Sequence, residues 1–410
     1  MAYNKTEHLR RNIEAIRTAF ALEREQRAAT PEERDVLRAY SGFGAIKEVL
    51  EPLPHKKETA LTPLIEELHA VLKENTGGER EYKRYLDSLK ASVLTAFYTP
   101  EPVTDAIMRM LYNAGVVPVR ALEPSAGTGA FAEYLRRYNE EAEITCFEKD
   151  PLTGLILRHL HPDDTVRVQG LETIEPAYEG HFDLITSNIP FGDVSLFDPA
   201  FSSSRDPVRR QGAWAIHNYF FMKSVDLVRA GGLIAFITSQ GMADAERNRP
   251  VREWLMERCD LVAAVRLPNN LFTDHAGTEV GSDLIVLQKN SAARPLSERQ
   301  RDFIETRTLS NGITVNNSFR SLDRVVQTSA KVGTNPYGKP AMEFTHAGGV
   351  EGIARALADM LAEDMERHFN RELYESHAPK TAPRQYRERQ TETVSPRQAH
   401  DDIGQARNTE

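Results

Sequence analysis

Cysteine is almost missing from this chain of 410 residues, which contains only Cys146 and Cys259. Both stand in apolar stretches of the sequence, so neither a disulfide framework nor a zinc cluster is expected. Long apolar runs are also missing, which excludes a membrane-spanning helix by sequence, and the polar start Met1–Lys5 is unlike a secretory signal. These absences predict a cytoplasmic protein that uses neither a membrane nor a metal.

An excess of basic charge is missing as well. The formal net charge is −9, which argues against a protein that coats nucleic acid without sequence preference. It does not exclude a DNA enzyme, because such enzymes concentrate their basic residues locally. Hydrophobic residues make up 40% of the chain, enough for one sizeable core with smaller appended parts.

Residues 1–95 are predicted to be a helical region. Apolar residues recur there at helical spacing: Leu9, Ile13, Ile16 and Phe20. Thr30, followed by Pro31 and Glu33, predicts a helix start with a capping box. Tyr40–Gly44 is a glycine-containing turn, expected to connect two helices, with the alternative that it backs a cofactor pocket.

Residues 96–290 change to short β-branched runs that alternate with helical segments. Seven strands are predicted, at Val119–Leu122, Ile144–Glu148, Val166–Gln169, Asp183–Thr186, Leu233–Thr238, Leu261–Arg266 and Leu284–Gln288. This alternation predicts an α/β fold, a doubly wound and mainly parallel sheet with helices on both faces. Ligands bind such sheets beyond the carboxyl ends of the strands, so the residues just after each strand are candidates for a site.

The pattern weakens after residue 290. Asn311-Gly312 predicts a hairpin between Thr306–Leu309 and Ile313–Asn316, and Gly352–Met365 is a candidate helix. Residues 291–372 are therefore expected to form a small C-terminal extension, a candidate part of a DNA-recognition region. Residues 373–410 are rich in polar residues and proline, and a disordered tail is predicted there.

The first candidate site runs from a strand end into a helix, as Glu123-Pro124-Ser125-Ala126-Gly127-Thr128-Gly129-Ala130-Phe131. Gly127 and Gly129 allow a sharp turn and a close approach of the backbone to a ligand. The N–H groups at the helix start suit a carboxylate or a phosphate. An ordinary strand–helix turn has the same pattern, so this motif needs a second one beside it.

The second motif lies about 20 residues further on, where the next strand ends at Phe147–Asp150. Nucleotide-binding units place an acidic residue there to bind ribose hydroxyls, and Glu148 is the candidate. Together the two motifs indicate a nucleoside-type cofactor. Glu172 follows the third strand and is a candidate for the adenine amino group, with an exposed acidic loop as the alternative.

The third motif, Ser187–Gly192, ends the fourth strand and indicates the reaction. A base amine is a poor nucleophile, because its lone pair is delocalised into the ring. The Asn188 amide oxygen and the Ile189 carbonyl are candidate acceptors for its hydrogens, which favours the pyramidal amine formed during attack. Phe191 offers a surface for base stacking, and Pro190 fixes the backbone between them.

These segments in order resemble the N6-adenine DNA methyltransferases of the class I fold. Phe97-Tyr98-Thr99-Pro100 resembles the family's segment before the glycine motif, and Asn188–Phe191 resembles its Asn/Asp-Pro-Pro-Tyr/Phe. The resemblance covers roughly Ala96 to Lys289, about half of the chain. It is closest to the methyltransferase domains of mobile-element and phage proteins in which such a domain is joined to a helicase.

The resemblance implies a Rossmann-like seven-stranded methyltransferase sheet and S-adenosylmethionine as the cofactor. It also implies methyl transfer to the N6 amine of an adenine flipped out of double-stranded DNA, by a bacterial or phage-encoded enzyme with a helicase or specificity partner. The residues expected to bind the cofactor are Tyr98, Thr99, Pro100, Glu123, Pro124, Ser125, Ala126, Gly127, Thr128, Gly129, Phe131, Glu148, Lys149 and Glu172.

The loop Gly192–Gly212 contains Arg205, Arg209 and Arg210, which are expected to clamp DNA phosphates. A mobile, solvated loop is the alternative for this segment.

One residue departs from the family pattern, since Ile189 stands where the first proline is usual. The carbonyl remains, but the stiffness of proline is lost. Other planar amines therefore stay open as substrates: cytosine N4, RNA guanine or a protein glutamine. A catalytically silent module that binds cofactor or DNA within an anti-restriction assembly is the alternative of a different class.

Overall fold

The computed structural model describes residues 4–44, 46–51, 58–95, 98–192, 194–273, 279–334, 338 and 340–379. Seven of its strands form one sheet: β1 (Arg120–Glu123), β2 (Glu143–Phe147), β3 (Thr165–Arg167), β4 (Phe182–Asn188), β5 (Val228–Ser239), β6 (Cys259–Leu267) and β7 (Ser282–Lys289). The predicted α/β class and all seven strands are confirmed.

The strands of this sheet lie in the spatial order β3-β2-β1-β4-β5-β7-β6. β7 pairs antiparallel with both of its neighbours, and the other pairings are parallel. The strand order reverses between β1 and β4, so the carboxyl ends of these two strands flank the crevice where such sheets bind ligands.

Helices cover both faces of the sheet. Within the described ranges they are α1 (Lys5–Glu25), α2 (Pro31–Arg38), α3 (Thr62–Glu74), α4 (Glu79–Thr95), α5 (Glu101–Asn113), α6 (Ala130–Tyr138), α7 (Pro151–Leu160), α8 (Pro199–Ser202), α9 (Pro207–Gly212), α10 (Ile216–Leu227), α11 (Gly241–Asp244), α12 (Arg249–Met256), α13 (Glu298–Ile304), α14 (Gly349–His368) and α15 (Arg371–Ser376). No helix in these ranges is long and apolar enough to cross a bilayer.

The core has a layer on each face of the sheet, because successive strand residues point to opposite sides. Leu184 of β4 packs in the layer formed with α5, α6 and α14, whereas its neighbour Ile185 packs in the layer formed with α10 and α12. Both side chains are fully buried. The sheet therefore holds the ends of β1 and β4 between two packed layers.

The N-terminal helices pack against the sheet domain through α7. Leu152 and Ile156 of α7 share a buried cluster with α1, α3 and α4. The predicted capping box of α2 is present, with Glu33 N bonded to the Thr30 hydroxyl at 3.2 Å and Thr30 N to the Glu33 carboxylate at 2.9 Å. Helices α1, α3 and α4 are thereby fixed against the sheet domain.

The C-terminal part contains two hairpins. β8 (Thr306–Thr308) and β9 (Thr314–Asn316) form the predicted one, and β10 (Ser329–Thr334) pairs with β11 (Pro340–Thr345) in one that the sequence did not predict. The residues of β10 are mostly exposed, so its sequence lacks the alternation of apolar and polar residues that marks a half-buried strand.

The prediction of a disordered tail from residue 373 is wrong at its start, since residues 373–376 belong to α15. Tyr374 is buried there, and the Arg229 guanidinium lies over its ring at 4.7 Å from the centroid. Asn370, the N-cap of this helix, also exchanges two hydrogen bonds of 2.9 Å with buried Gln288 of β7, and composition alone does not reveal these contacts. Residues 380–410 of the predicted tail lie outside the described residues.

Candidate active site

A cavity of about 550 Å³ opens at the carboxyl ends of β1, β2 and β4. The glycine motif after β1, the acidic residues after β2 and β3, and the segment after β4 all line it. Residues as distant in the chain as Arg84 and Phe220 thus meet at the point where the strand order reverses. This convergence makes the cavity the candidate active site.

The glycine loop after β1 adopts a backbone that side chains rarely permit. Gly127 has a φ of +56°, and Gly129 has a φ of +87° at the start of α6. A Cβ atom at Gly127 would lie 2.7 Å from the Tyr98 ring. Glycine is therefore required at position 127 both for its conformation and for the contact with Tyr98.

Glu123 ends β1, and its carboxylate is turned towards the start of α6. It accepts hydrogen bonds from Ala132 N at 2.8 Å and from Phe131 N at 3.4 Å. Burial raises the pKa of this carboxyl group well above its usual value. The N–H groups at the start of α6, expected from the sequence to receive a ligand, are thus partly occupied by Glu123.

Glu148 follows β2 and connects two parts of the cavity wall. Its carboxylate accepts hydrogen bonds from Gly127 N at 2.8 Å and from Asp150 N at 2.7 Å. Burial, with a contribution from nearby Asp150, raises the pKa of this group to about 7. Each oxygen of a carboxylate can accept a second hydrogen bond, so Glu148 retains capacity for a ligand.

The N-terminal helix α4 supplies one wall of the cavity. Its Arg84, Asp87, Ser88 and Ser92 all line the space. The Ser88 hydroxyl donates to Asp150, which also caps α7 through Thr153 N at 2.9 Å. Sequence reasoning missed these residues, because small and polar residues on one helix give no signal of the surface that they face.

Glu172 stands after β3, beside Lys149. One of its oxygens accepts from the Lys149 ammonium at 2.9 Å. Its other oxygen, Oε2, is buried and has no hydrogen-bond partner among the described residues. A buried acceptor without a donor is costly, which marks a place where a bound molecule can supply one. The Thr99 hydroxyl, which also lies in the cavity wall, is likewise buried and has no hydrogen-bond partner among the described residues.

Asn188 is the last residue of β4, and its position is tied to the glycine loop. The hydroxyl of the preceding Ser187 donates to the Ser125 carbonyl at 2.9 Å. Asn188 itself pairs with Ile237 in the β4–β5 ladder. The two motifs on either side of the crevice are therefore held in a fixed relation.

Ile189, which replaces the family's first proline, continues this ladder by one residue. Its N–H donates to the Ile237 carbonyl at 3.0 Å, and its side chain is 1% exposed. A proline has no N–H and could not make this bond. The sequence suggested that replacing proline makes this backbone less stiff. In the structure, a ladder hydrogen bond and the packing of the Ile189 side chain hold the backbone instead.

Phe191 completes the segment as a half-buried ring in the cavity wall. Phe272, which follows β6, packs against it in a T-shaped arrangement with centroids 6.1 Å apart. This contact limits rotation of the Phe191 ring.

Comparison with known sequences identifies the family. A sequence model of N-6 DNA Methylase matches residues 84–331. The chain belongs to this family. The resemblance stated from the motifs is thereby confirmed, and S-adenosylmethionine is the cofactor.

The methylase is 26% identical over 203 residues to Defense against restriction protein B of Escherichia phage P1. That match covers 48% of this chain and 8% of the phage protein. This chain is also 26% identical over 231 residues to the type II methyltransferase M.XamI of Xanthomonas campestris pv. amaranthicola. That match covers 53% of this chain and 43% of M.XamI. The chain thus spans less than half the length of either relative.

The chain is also similar to solved structures, among them a Listeria monocytogenes protein assigned to the class I S-adenosylmethionine-dependent methyltransferases. It is 16% identical, with a TM-score of 0.42, and the match covers 72% of this chain and 91% of that one. A modification subunit assigned to a type I restriction enzyme of Vibrio vulnificus is 15% identical with a TM-score of 0.41, covering 64% and 69% of the two chains.

Most residues that the sequence predicted for the methylase's site meet in the cavity. Tyr98, Thr99, Glu123–Gly127, Phe131, Glu148, Lys149, Glu172 and Asn188–Phe191 all line it. Pro100, Thr128 and Gly129 do not. Thr128 instead lines an adjoining cavity of about 530 Å³, together with Tyr40 and Ser41 of the turn between α2 and α3. Among the described residues, no group of three or more His, Cys, Asp or Glu is placed to hold a metal ion.

The three arginines predicted to clamp phosphates differ in their surroundings. Arg209 donates two hydrogen bonds to Asp226, at 2.9 and 2.8 Å, and lies over the Phe201 ring. The Arg209 guanidinium is thus already paired and partly buried, which disfavours a phosphate contact at this residue. Arg205 and Arg210 are exposed and have no acidic partner in the described part of the chain.

Proposed function

We propose that this methylase transfers a methyl group from S-adenosylmethionine to the N6 amine of an adenine in double-stranded DNA. One observation carries the proposal: a single cavity joins the glycine loop and Glu148 to the segment Asn188–Phe191. The glycine loop and Glu148 are suited to a nucleoside cofactor, and the segment Asn188–Phe191 is suited to a planar base amine.

The residues present fit the cofactor. Glu148 is placed to accept ribose hydroxyls, and the buried Oε2 of Glu172 needs a donor such as an adenine amino group. The missing side chain at Gly127 leaves room for the Tyr98 ring, and both residues line the cavity. When bound, S-adenosylmethionine supplies an electrophilic methyl group on a sulfonium.

Asn188 and Ile189 are the groups proposed to act on the amine. The Asn188 amide oxygen and the Ile189 carbonyl accept its two hydrogens, which directs the nitrogen lone pair towards the methyl group. Acceptors held in place before the reaction stabilise the developing charge without reorganising, and such groups contribute about 10²- to 10³-fold each to turnover. The ladder bond of Ile189 N to Ile237 holds this backbone in place.

Phe191 is proposed to stack on the target adenine after it leaves the duplex. Turning a base out of the stack costs a few kcal/mol, roughly the range that stacking on an aromatic ring recovers. Pro190 restricts the backbone between the acceptors and this ring. The gain in rate then comes largely from position, because the amine and the methyl group meet in one orientation.

Sequence recognition is proposed to involve more than the sheet domain. Residues 96–290 form the methyltransferase domain in this proposal, residues 1–95 one wall of its cavity, and residues 291–372 a candidate part of the DNA-recognition region. The chain spans less than half the length of the two relatives. A further segment, a specificity subunit or a helicase is therefore proposed as a partner.

The test is the identity of the methylated product. The purified chain is incubated with labelled S-adenosylmethionine and plasmid DNA unmethylated at adenine, and the DNA is digested to nucleosides. Labelled N6-methyldeoxyadenosine is expected from the native chain and from the control Asn113→Ala, whose side chain is exposed at the end of α5 and lines neither cavity. It is not expected from Asn188→Ala.

Other products decide among the alternatives. Labelled N4-methyldeoxycytidine would replace adenine by cytosine as the target, because both offer an exocyclic amine. Label in RNA or in a protein glutamine would reject DNA as the substrate. Cofactor binding without a labelled product in DNA, RNA or protein would favour the silent module.

A further inference from the structure

The segment between β4 and α10 presents aromatic side chains to solvent beside the mouth of the cavity. Phe197 is 75% exposed and Trp214 is 68% exposed. Neither ring has a ring contact in the described part of the chain. Single exposed apolar residues are ordinary, but two large rings from neighbouring points of the backbone form a patch, and such patches mark contact sites for other molecules.

The two rings come from neighbouring points of the backbone. Leu196 N donates to the Ala213 carbonyl at 2.9 Å, and Phe197 and Trp214 are the next residues after that pair. Both ends of the segment belong to the cavity wall, through Val194 and Leu196 on one side and Ile216 on the other. The aromatic surface, Phe197 with Trp214, is therefore continuous with the opening through which a target base must pass.

The described charged residues of this segment differ in exposure, and Arg209 is held inside by its pair with Asp226. Asp198 is buried and accepts from Tyr219 at 2.7 Å and from Lys223 at 3.1 Å. Asp206 caps α9 and accepts from the Trp254 indole at 2.9 Å. These acids face inward, whereas Arg205 and Arg210 are exposed. The outward chemistry of the described residues is thus aromatic and cationic.

We infer that Phe197 and Trp214 stack on bases of the DNA beside the flipped adenine, while Arg205 and Arg210 contact the neighbouring phosphates. This inference rests on the proposed function, because it places the duplex over the cavity mouth. Aromatic rings and cations together suit nucleic acid, which offers flat base surfaces next to anionic phosphates. Extrusion of one base leaves a gap in the stack, and a ring of this kind fits such a gap.

The test measures binding of a short mixed-sequence duplex by fluorescence anisotropy, in the presence of S-adenosylhomocysteine. Phe197→Ala and Trp214→Ala are each expected to weaken binding at least roughly fivefold, since base–aromatic stacking has about that effect per ring. Trp214→Phe keeps an aromatic ring and is expected to restore most of the affinity. Leu50→Ala removes an exposed apolar side chain that lines neither cavity, and it is the matched control.

Intrinsic fluorescence gives a second readout. The chain has two tryptophans, and Trp254 is only 6% exposed. Addition of the duplex is expected to quench the emission of Trp214 in the native chain, and Trp214→Phe is expected to abolish most of that response. Because both rings are exposed, the variants should unfold at the same temperature as the native chain.

The outcomes separate this inference from the proposed function. Methyl transfer and duplex affinity unchanged in the double variant Phe197→Ala/Trp214→Ala would overturn the inference and leave the proposed function standing. So would dimerisation of the native chain that the double variant abolishes, with unchanged DNA affinity. Duplex binding that depends on both rings in the native chain and equally in Asn188→Ala supports the inference, even if no methylated DNA is formed.

Discussion

The two sides of the cavity are built in opposite ways. On the cofactor side, Glu123 is buried and Glu148 is half-buried, and both accept hydrogen bonds from backbone N–H groups of the segment that follows β1. On the target side, the segment between β4 and α10 keeps its described acids inside and leaves Phe197 and Trp214 in solvent. The cofactor side is therefore organised before any ligand binds. The target side leaves two aromatic rings exposed, and a bound molecule would cover them.

This difference follows from what each side is proposed to bind. A small cofactor makes most of its contacts with fixed groups in a closed space, so preorganised acceptors give affinity. A duplex is large and charged, and it reaches the protein from outside, so exposed rings and arginines are suitable contacts. Changes on the two sides should therefore alter different measured constants.

The largest expected effect is that of Asn188→Ala on turnover. Loss of one preorganised acceptor is expected to lower kcat by about 10²- to 10³-fold. The Kd for S-adenosylmethionine should change little, because Glu148 and the glycine loop remain. Turnover and cofactor Kd are measured separately, by single-turnover methylation and by calorimetry. A large rise in cofactor Kd would show that the two sides are not separable.

The second prediction concerns pH and the cofactor side. Burial raises the pKa of Glu148 to about 7, and ribose hydroxyls donate to the charged form. Cofactor Kd should therefore rise about tenfold per pH unit below this pKa and level off above it. Binding measured below pH 7 should release a proton, which calorimetry in buffers of different ionisation enthalpy detects.

Glu148→Gln is the control for that titration, because it keeps the shape of the side chain but cannot ionise. Its cofactor Kd should be higher at pH 8 and nearly flat with pH. The pKa of a glutamate in the unfolded chain is about 4.3. Between that pH and pH 7, Glu148 of the cofactor-free protein is therefore protonated in the folded state and ionised in the unfolded state. The free energy of unfolding should accordingly fall as pH rises through that window. The same pH profile in Glu148→Gln would assign the titration to another group.

The third prediction tests the substitute for proline. Ile189→Pro restores the residue usual in the family but removes the N–H that bonds the Ile237 carbonyl at 3.0 Å. The free energy of unfolding should fall by about 1–3 kcal/mol, because a buried carbonyl loses its donor. Turnover should change far less than in Asn188→Ala. Denaturant unfolding and kcat are the measurements, with Ile189→Val as the control that keeps the N–H.

The smallest effects are expected from the arginines of the target side. Arg210→Ala should lower the slope of log binding constant against log salt by about 0.9 while leaving stability unchanged. Arg209→Ala should instead destabilise the fold by about 1–3 kcal/mol, since Asp226 loses its two donors. Salt titrations of duplex binding and thermal unfolding distinguish them. Equal effects of both variants on the salt slope would restore the original expectation for Arg209.

The fold was largely predictable because its signals are local. β-branched runs separated by helical segments predicted all seven strands, and Thr30 with Glu33 predicted the start of α2. The spacing between Gly127 and Glu148 predicted two motifs that share one cavity. The hairpin β10–β11 escaped prediction, since β10 is mostly exposed and its sequence has no alternating pattern of apolar and polar residues.

The sequence by itself determined which chemical groups stand at the ends of the strands, because the order of strands and turns is written in short-range patterns. Only the tertiary structure decided how each group is used. It paired Arg209 with Asp226, turned Glu123 to the start of α6, brought Ser88 of α4 to Asp150, and gave Ile189 a ladder bond in place of proline. These outcomes depend on neighbours that are distant in the chain, and no local pattern specifies which distant group a side chain will meet.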